Sequence, residues 1–445
     1  MSNALIDVHE ELAQARIKGL HWKLGLILGF LTFFDGYDTF NPAYVIHYVV
    51  GPWHLPPGRA GLLVSSGLVG FLCGAALHGR VADYIGRRLA LIGGLWITTI
   101  FTLLTAAYAD SFNSFCALRV LTGLGLGVLL PLSTTYINEL APRRIANTFS
   151  LWGVALGWAV GGTAAGLVGV LLTPLYGWRA LYWFGTLSIV LIPFLHFYLP
   201  ESPKFLLLMG RDAELKKMLG KLRPEREVFY QQATILRQVE SSNISAKGLL
   251  SPRYRRLSLS IWASSFLSLF CIFGLSGWIP SLMLQRGETF SSSFGFGALM
   301  QVMSFVGALA CGYLVDKKGA ARGYLAAWWF CGGLSVVALI FLESHIANLF
   351  FSAAAGFFII GAQFVLNNFT ATSYDTGVRA TAVGMELGVG RLGAILGPFV
   401  GGALQQHYHG ADVMLWTIGM AGAAAALAVL FAKPGASGAA TCQHC

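Results

Sequence analysis

The chain has 445 residues, 56% of them hydrophobic and only 11% charged, with a mean hydropathy of +0.65 and a formal net charge of +10. That composition excludes a soluble globular protein. The basic residues fall in alternate loops between apolar runs, so the positive charge reads as membrane topology and not as nucleic-acid binding.

Apolar runs of about 20 residues recur along the chain, each long enough to cross a hydrocarbon core of about 30 Å as a helix. Twelve transmembrane helices are predicted, over 24–46, 60–79, 89–110, 113–137, 147–172, 178–199, 257–284, 293–315, 322–342, 347–373, 380–404 and 411–432. The fold class is an all-α polytopic membrane protein in two six-helix halves, 24–199 and 257–432. Arg80, Arg87, Arg88, Arg143, Arg144, Lys317, Lys318, Arg322 and Arg379 lie on one side. The opposite loops carry Asp110, Glu288, Glu343, His345 and Asp412, with Arg59, Arg179 and Arg286 as their strong bases. That bias puts both termini in the cytoplasm of a bacterial-type inner membrane.

Residues 1–23 mix acids and bases without the apolar core of a cleavable signal peptide, and read as a cytoplasmic segment. Helix one carries Asp35 and Asp38, three apart and able to share one face. Two carboxylates this close in a low-dielectric region do not both ionise readily, which suits a reversible proton carrier; the alternative is a structural hydrogen-bonding role. Pro42 has no N–H for the carbonyl of Asp38, so the helix should be weakened or kinked there and should leave an acceptor for a cavity or a neighbouring helix. Asn41 shares that face. Phe34, Tyr37, Tyr44, Trp152, Trp158 and Trp278 are available as aromatic walls.

Between helices two and three, Gly79 to Arg88 places Asp83, Arg87 and Arg88 together. With Asp316 of the second half they read as a cytoplasmic gate, because an Asp at a helix end can accept bonds from a helix N-terminus and from arginines. Glu139, Arg143, Arg144 and Glu201 form comparable clusters. Arg119 in helix four precedes glycines at 123, 125 and 127, which permit another helix to approach closely.

From 200 to 256 about a dozen Lys/Arg and half as many Asp/Glu appear, with amphipathic stretches such as 213–222, marking a cytoplasmic linker with short helices. The halves repeat each other: Gly79-Arg-Val-Ala-Asp83 recurs as Gly312-Tyr-Leu-Val-Asp316. Arg143, Gly157, Gly161 and Gly166 likewise match Arg379, Gly393, Gly397 and Gly402, which makes helices five and eleven equivalent elements of a duplicated unit.

In helix ten, Gln363 and Asn367 lie one turn apart and can hydrogen-bond a ring hydroxyl or a carboxylate oxygen. In helix eleven, Arg391 is the candidate to bind a carboxylate through its planar guanidinium. Glu386 is about 140° around the helix from Arg391, and reads as a second titrating group or as paired elsewhere. The cysteines are scattered without a disulfide framework, and 433–445, ending Cys442-Gln-His-Cys445, reads as a disordered tail without a metal site. No nucleophile array, metal-ligand spacing or phosphate loop indicates an enzyme or a cofactor.

These motifs resemble the major facilitator superfamily along essentially the whole chain: the Gly79 to Arg88 loop, and Arg119-Val-Leu-Thr-Gly-Leu-Gly-Leu-Gly127 in helix four. A narrower resemblance, to aromatic acid:proton symporters that import hydroxybenzoates and related compounds, rests on Asp35-Gly-Tyr-Asp38, on Gly361-Ala-Gln-Phe-Val-Leu-Asn367, and on Arg379 through Pro398. Glu386 departs from it, standing where a small apolar residue is expected. The resemblance implies a major facilitator fold and proton-coupled uptake of a small aromatic carboxylate such as a hydroxybenzoate or benzoate by a monomer, with Arg119 active in proton coupling. A buried pair of Arg119 with an Asp of helix one is the other reading. Muconate or another organic anion is the alternative cargo. Export is disfavoured because helix five lacks the Gly/Pro motif of exporters.

Overall fold

The computed structural model describes residues 5–14, 19–140, 156–236, 246–342 and 344–432. The membrane body is α1 (Gly19–Val49), α2 (Pro57–Ile85), α3 (Arg87–Tyr108), α4 (Phe112–Leu140), α5 (Leu156–Tyr176) and α6 (Arg179–Tyr198), followed by α7 (Arg255–Gln285), α8 (Phe290–Lys318), α9 (Ala321–Phe341), α10 (His345–Ser373), α11 (Thr376–Tyr408) and α12 (Asp412–Leu430). Eleven of these are long and apolar enough to cross a membrane. The exception is α1, which at 31 residues is long enough but has its apolar run interrupted by Asp35, Asp38 and Asn41. Large apolar side chains such as Leu171, Phe197, Phe350 and Leu427 face outward, as a lipid-facing surface requires.

Helix ends fall within a few residues of expectation, α11 running four longer at each end; the predicted start of helix five lies outside the described residues. Two helices are irregular inside. A 3-10 segment, Thr186–Val190, interrupts α6. A π segment, Gly356–Ile360, interrupts α10 where Phe357 packs backbone to backbone on Gly307 of α8. The extra residue in that turn rotates Gln363 and Asn367 relative to the first half of α10. The kink expected at Pro42 is not a break: α1 is continuous.

The duplicated glycines do the same work twice. A Cβ on Gly157 or Gly161 would meet the carbonyl oxygens of Gly29 and Phe33 on α1, and one on Gly393 or Gly397 those of Phe266 and Phe270 on α7. Each pair of helices thus touches backbone to backbone along small residues, where van der Waals packing drives association. The halves meet through α2 with α11, α5 with α8 and α1 with α7. Ser65 Oγ donates to the Ile395 carbonyl at 2.7 Å, and the Gly58 N–H to Gln406 Oε1 at 3.1 Å. A Cβ on Gly61 would strike the Pro398 carbonyl. These contacts seal the halves at the end of the bundle away from the chain's first residues.

Outside the bundle, the linker holds the short helices Pro203–Leu208, Asp212–Leu222 and Glu227–Gln232. Asp212–Leu222 buries Leu215, Met218, Leu219 and Leu222, one face of the predicted amphipathic stretch. The sequence gives no hint that β1 (Leu5–Ile6) pairs in parallel with β2 (Thr234–Ile235). Glu11 fixes this contact, accepting from Arg223 Nη1 at 2.6 Å, Tyr230 Oη at 2.7 Å, and Arg226. The N-terminal segment is therefore docked on the linker.

Replacing Gly161 or Gly397 by valine forces two backbones apart and is expected to destabilise the detergent-solubilised protein by about 1–3 kcal/mol. Gly93→Val, where a Cβ meets nothing within 4 Å, serves as the control. Melting curves of the three variants check this.

Candidate functional site

The charged groups inside the bundle divide into one direct ion pair and several groups without one among the described residues. Arg119 on α4 donates from Nη1 to both carboxylate oxygens of Asp38 at 3.0 Å, and from Nη2 to the Asp38 carbonyl at 2.8 Å. That carbonyl is the acceptor Pro42 leaves free, so the arginine answers both the carboxylate and the missing helix bond. Both residues are buried, and the Tyr182 ring lies 5.6 Å from the guanidinium.

Asp35, one turn earlier, is 0% exposed, and neither of its carboxylate oxygens has a hydrogen-bond partner among the described residues. The Trp158 indole is beside it without reaching hydrogen-bond geometry. Both polar atoms of Asn41 are likewise buried and unpartnered. A buried polar atom without a partner is rare enough to require an explanation.

Arg391 on α11 makes no ion pair or hydrogen bond among the described residues, although it lies in the fields of Asp35 and Glu386. Its guanidinium stacks on Phe71 of α2 at 3.8 Å and faces Phe273 of α7 at 5.9 Å. It therefore sits between the halves, held by aromatic faces and not by a counter-ion. Phe273 stacks on Phe40, Phe40 meets Trp158 edge-on at 4.9 Å, and Trp158 approaches Phe364 at 6.3 Å. An aromatic wall thus joins α1 and α5 to α7 and α10.

Glu386, also fully buried, accepts from Ser265 Oγ at 2.6 Å and from Gln363 Nε2 at 3.2 Å. Gln363 Nε2 also donates to Asn367 Oδ1 at 2.9 Å. The polar residues predicted on helices ten and eleven therefore form one network.

Asp35, Asn41, Arg391, Glu386, Gln363 and Asn367 accordingly lie on the helices that face each other between the halves. Tyr37 does not join them, because its hydroxyl donates to the Leu181 carbonyl at 2.8 Å and its ring packs on Phe184 of α6. Phe34 packs into the apolar core of the first half. Trp152 lies outside the described residues. The aromatic neighbours Phe71, Phe273, Phe40 and Phe364 were not singled out in the sequence, where nothing separates them from other phenylalanines in apolar runs.

Toward the linker, Arg87 pairs with Asp83 at 2.7 Å and lies 3.7 Å from Glu139. The carboxylate on a helix N-terminus is Glu201 and not Asp83: its Oε1 accepts from the backbone N–H of Arg87 at 2.9 Å and of Arg88 at 3.2 Å, at the start of α3. Glu139 accepts from Ser202, and the Arg88 guanidinium donates to the His196 carbonyl. These groups all belong to the first half and its junction with the linker. Asp316 is exposed at the end of α8 and has no ion pair among the described residues. Arg143 lies outside them. A separate recess of about 260 Å³ between Trp53, Leu55, Arg59, Asp110 and Phe112 holds none of the predicted site residues.

Two six-helix halves with unpaired charged groups buried between them define a polytopic membrane transporter. The chain matches the Major Facilitator Superfamily over residues 26–398. It is 32% identical over 434 residues to a gallate transporter of Pseudomonas putida, covering 96% of this chain and 95% of that one. It is 31% identical over 412 residues to the 4-hydroxybenzoate transporter PcaK of Pseudomonas aeruginosa, covering 90% and 89%. Among solved structures, the partially occluded inward-open conformation of the xylose transporter XylE from E. coli is similar with a TM-score of 0.74 at 18% identity, covering 94% of this chain and 99% of that one. The chain belongs to the major facilitator superfamily, a family of transporters and not of enzymes.

Breaking the buried pair from either side, as Asp38→Asn or Arg119→Ala, leaves an uncompensated polar group and is expected to destabilise the protein by about 3–5 kcal/mol. Asp35→Asn removes a charge without breaking a bond and should leave the melting temperature unchanged or raise it. Thermal melting of the purified variants separates the two acids.

Proposed function

We propose that this protein imports a small aromatic carboxylate across the bacterial plasma membrane, coupled to protons, by alternating access of its two halves. The observation that carries this reading is Arg391, a buried guanidinium with no ion pair among the described residues, stacked on aromatic rings between the halves. A charge placed there costs about 2.5–3.5 kcal/mol even on insertion scales, and a bound anion would offset that cost. A carboxylate fits its fork bidentately, and the aromatic surround of Phe71, Phe273 and Phe40 suits a ring better than an acyclic dicarboxylate. The names of the gallate and 4-hydroxybenzoate relatives support the same class of cargo.

Asp35 is the proton-binding group on this reading. Its carboxylate has no bond to lose, and taking up a proton removes an unpaired charge from a buried site. Asp38 and Arg119 form the fixed pair beside it, and Glu386 is a second acid on the opposite half. The cluster of Asp83, Arg87, Glu139 and Glu201 acts as a gate by holding the first half to the linker junction in one state. The site is complete within one chain, which supports a monomeric transport unit. Both termini lie in the cytoplasm on the Lys/Arg distribution.

Proteoliposomes test this with labelled 4-hydroxybenzoate. Uptake should require an inward proton gradient. Arg391→Ala should lower it by about 100-fold, the loss of a charge-assisted fork. Asp35→Asn should abolish gradient-driven accumulation while leaving counterflow exchange in place. Failure of any aromatic carboxylate to move, with folding intact by melting, overturns the substrate class.

A further inference from the structure

The network around Glu386 is incomplete in one particular way. Glu386 Oε1 accepts two hydrogen bonds, while Oε2, equally buried, has no partner among the described residues. Gln363 uses its amide nitrogen on Glu386 and Asn367, while its Oε1 is buried without a donor. With Glu386 ionised, turning the Gln363 amide over would set its oxygen against the Glu386 carboxylate, an acceptor. Two neighbouring residues of one network therefore each present an unused acceptor, and Ser265, the adjacent hydroxyl on α7, is already committed to Glu386.

We propose that Glu386 and Gln363 form a hydroxyl-reading subsite that selects ring-hydroxylated aromatic carboxylates over unsubstituted ones. This rests on the aromatic-acid reading of the site and adds which ring it takes. A second carboxylate is repelled by an acceptor pair, whereas a phenolic O–H supplies the donor that both oxygens lack. Glu386 and Arg391 lie five residues apart on α11, about 7.5 Å of rise and about 140° of rotation, and both reach α7: Glu386 at Ser265 and Arg391 at Phe273. On this reading the carboxylate rests on Arg391, and a hydroxyl elsewhere on the ring meets Glu386 and Gln363 by way of the shared α7 face. A substrate lacking it leaves both acceptors buried and unpaired, and a site built to bond a hydroxyl rejects such an analogue strongly.

Competition binding to the full-length protein in liposomes tests this, with labelled 4-hydroxybenzoate displaced by benzoate, 3-hydroxybenzoate, 3,4-dihydroxybenzoate or gallate. The native protein should bind at least one hydroxylated acid about tenfold or more tighter than benzoate. Glu386→Gln and Gln363→Leu should each narrow the ratio of hydroxylated-acid to benzoate affinity to within about threefold. Equal native affinities, or variants that weaken benzoate and the hydroxylated acids alike, overturn the subsite. If Glu386→Gln does not fold by melting, Gln363→Leu alone decides it. Binding of benzoate without hydroxyl preference defeats only this inference; binding of no aromatic acid defeats the substrate class and the subsite with it.

Discussion

The bond between Arg119 and Asp38 is the constraint on which the rest of the first half depends. Burying a guanidinium and a carboxylate is least costly where they meet, and here the arginine also takes the carbonyl that Pro42 strands. This draws α1 onto α4 and sets Tyr182 of α6 against the guanidinium, while Tyr37 ties α1 to α6 through the Leu181 carbonyl. With Arg119 and Asp38 committed to each other, Asp35 on the first half and Arg391 on the second have no hydrogen bond or ion pair among the described residues.

The two halves carry those groups on frameworks built alike. Gly157 and Gly161 bring α5 onto α1 as Gly393 and Gly397 bring α11 onto α7, contacts about 236 positions apart in the chain. The same two helices also make the contacts between halves: α5 reaches α8, and α11 reaches α2. Backbone packing of this kind makes each half a body, and it recurs across the interface, where Gly61 lies against the Pro398 carbonyl and Gly402 against that of Pro57. The bonds of Ser65 and Gly58 to α11 close one end of the central interface, and the ionic cluster around Arg87 at the other end stays within the first half and its linker junction.

Much of this was legible in the sequence because the membrane makes polar residues conspicuous. Asp35, Asp38, Arg119, Gln363, Glu386 and Arg391 stand out in apolar runs, since each is costly there unless something answers it. What answers it was not legible. Nothing in a chain with 31 phenylalanines marks Phe71 and Phe273 as the rings that flank Arg391. Tyr37 stood between two acids and looked like a site residue, yet one residue of helical rotation turns it onto α6. The π turn in α10 defeats the plain 3.6-residue count that would place Gln363 and Asn367. Glu201, past the end of α6, holds the α3 N-terminus in place of the nearer Asp83, and the pairing of β1 with β2 crosses more than 200 residues with no local signal.

On the proposed reading, coupling follows from charge balance in one buried space. Empty, the site holds Arg391 in the fields of Asp35 and Glu386, so its positive charge is opposed at a distance, without contact. A substrate carboxylate on Arg391 takes that opposition over. An ionised Asp35 would then be a negative charge in low dielectric with neither a bond nor a cation to itself, and a proton removes it. Anion and proton are thereby linked, and the linkage is reciprocal: whatever favours the proton on Asp35 favours the anion on Arg391. One proton with one monoanion moves no net charge, so the cycle draws on the pH difference alone. A second proton would add about 2.3 kcal/mol per 100 mV of membrane potential. On that reading the cargo's binding group stands on the C-terminal half and its proton carrier on the N-terminal half, so that the linkage spans the interface at which the halves rock.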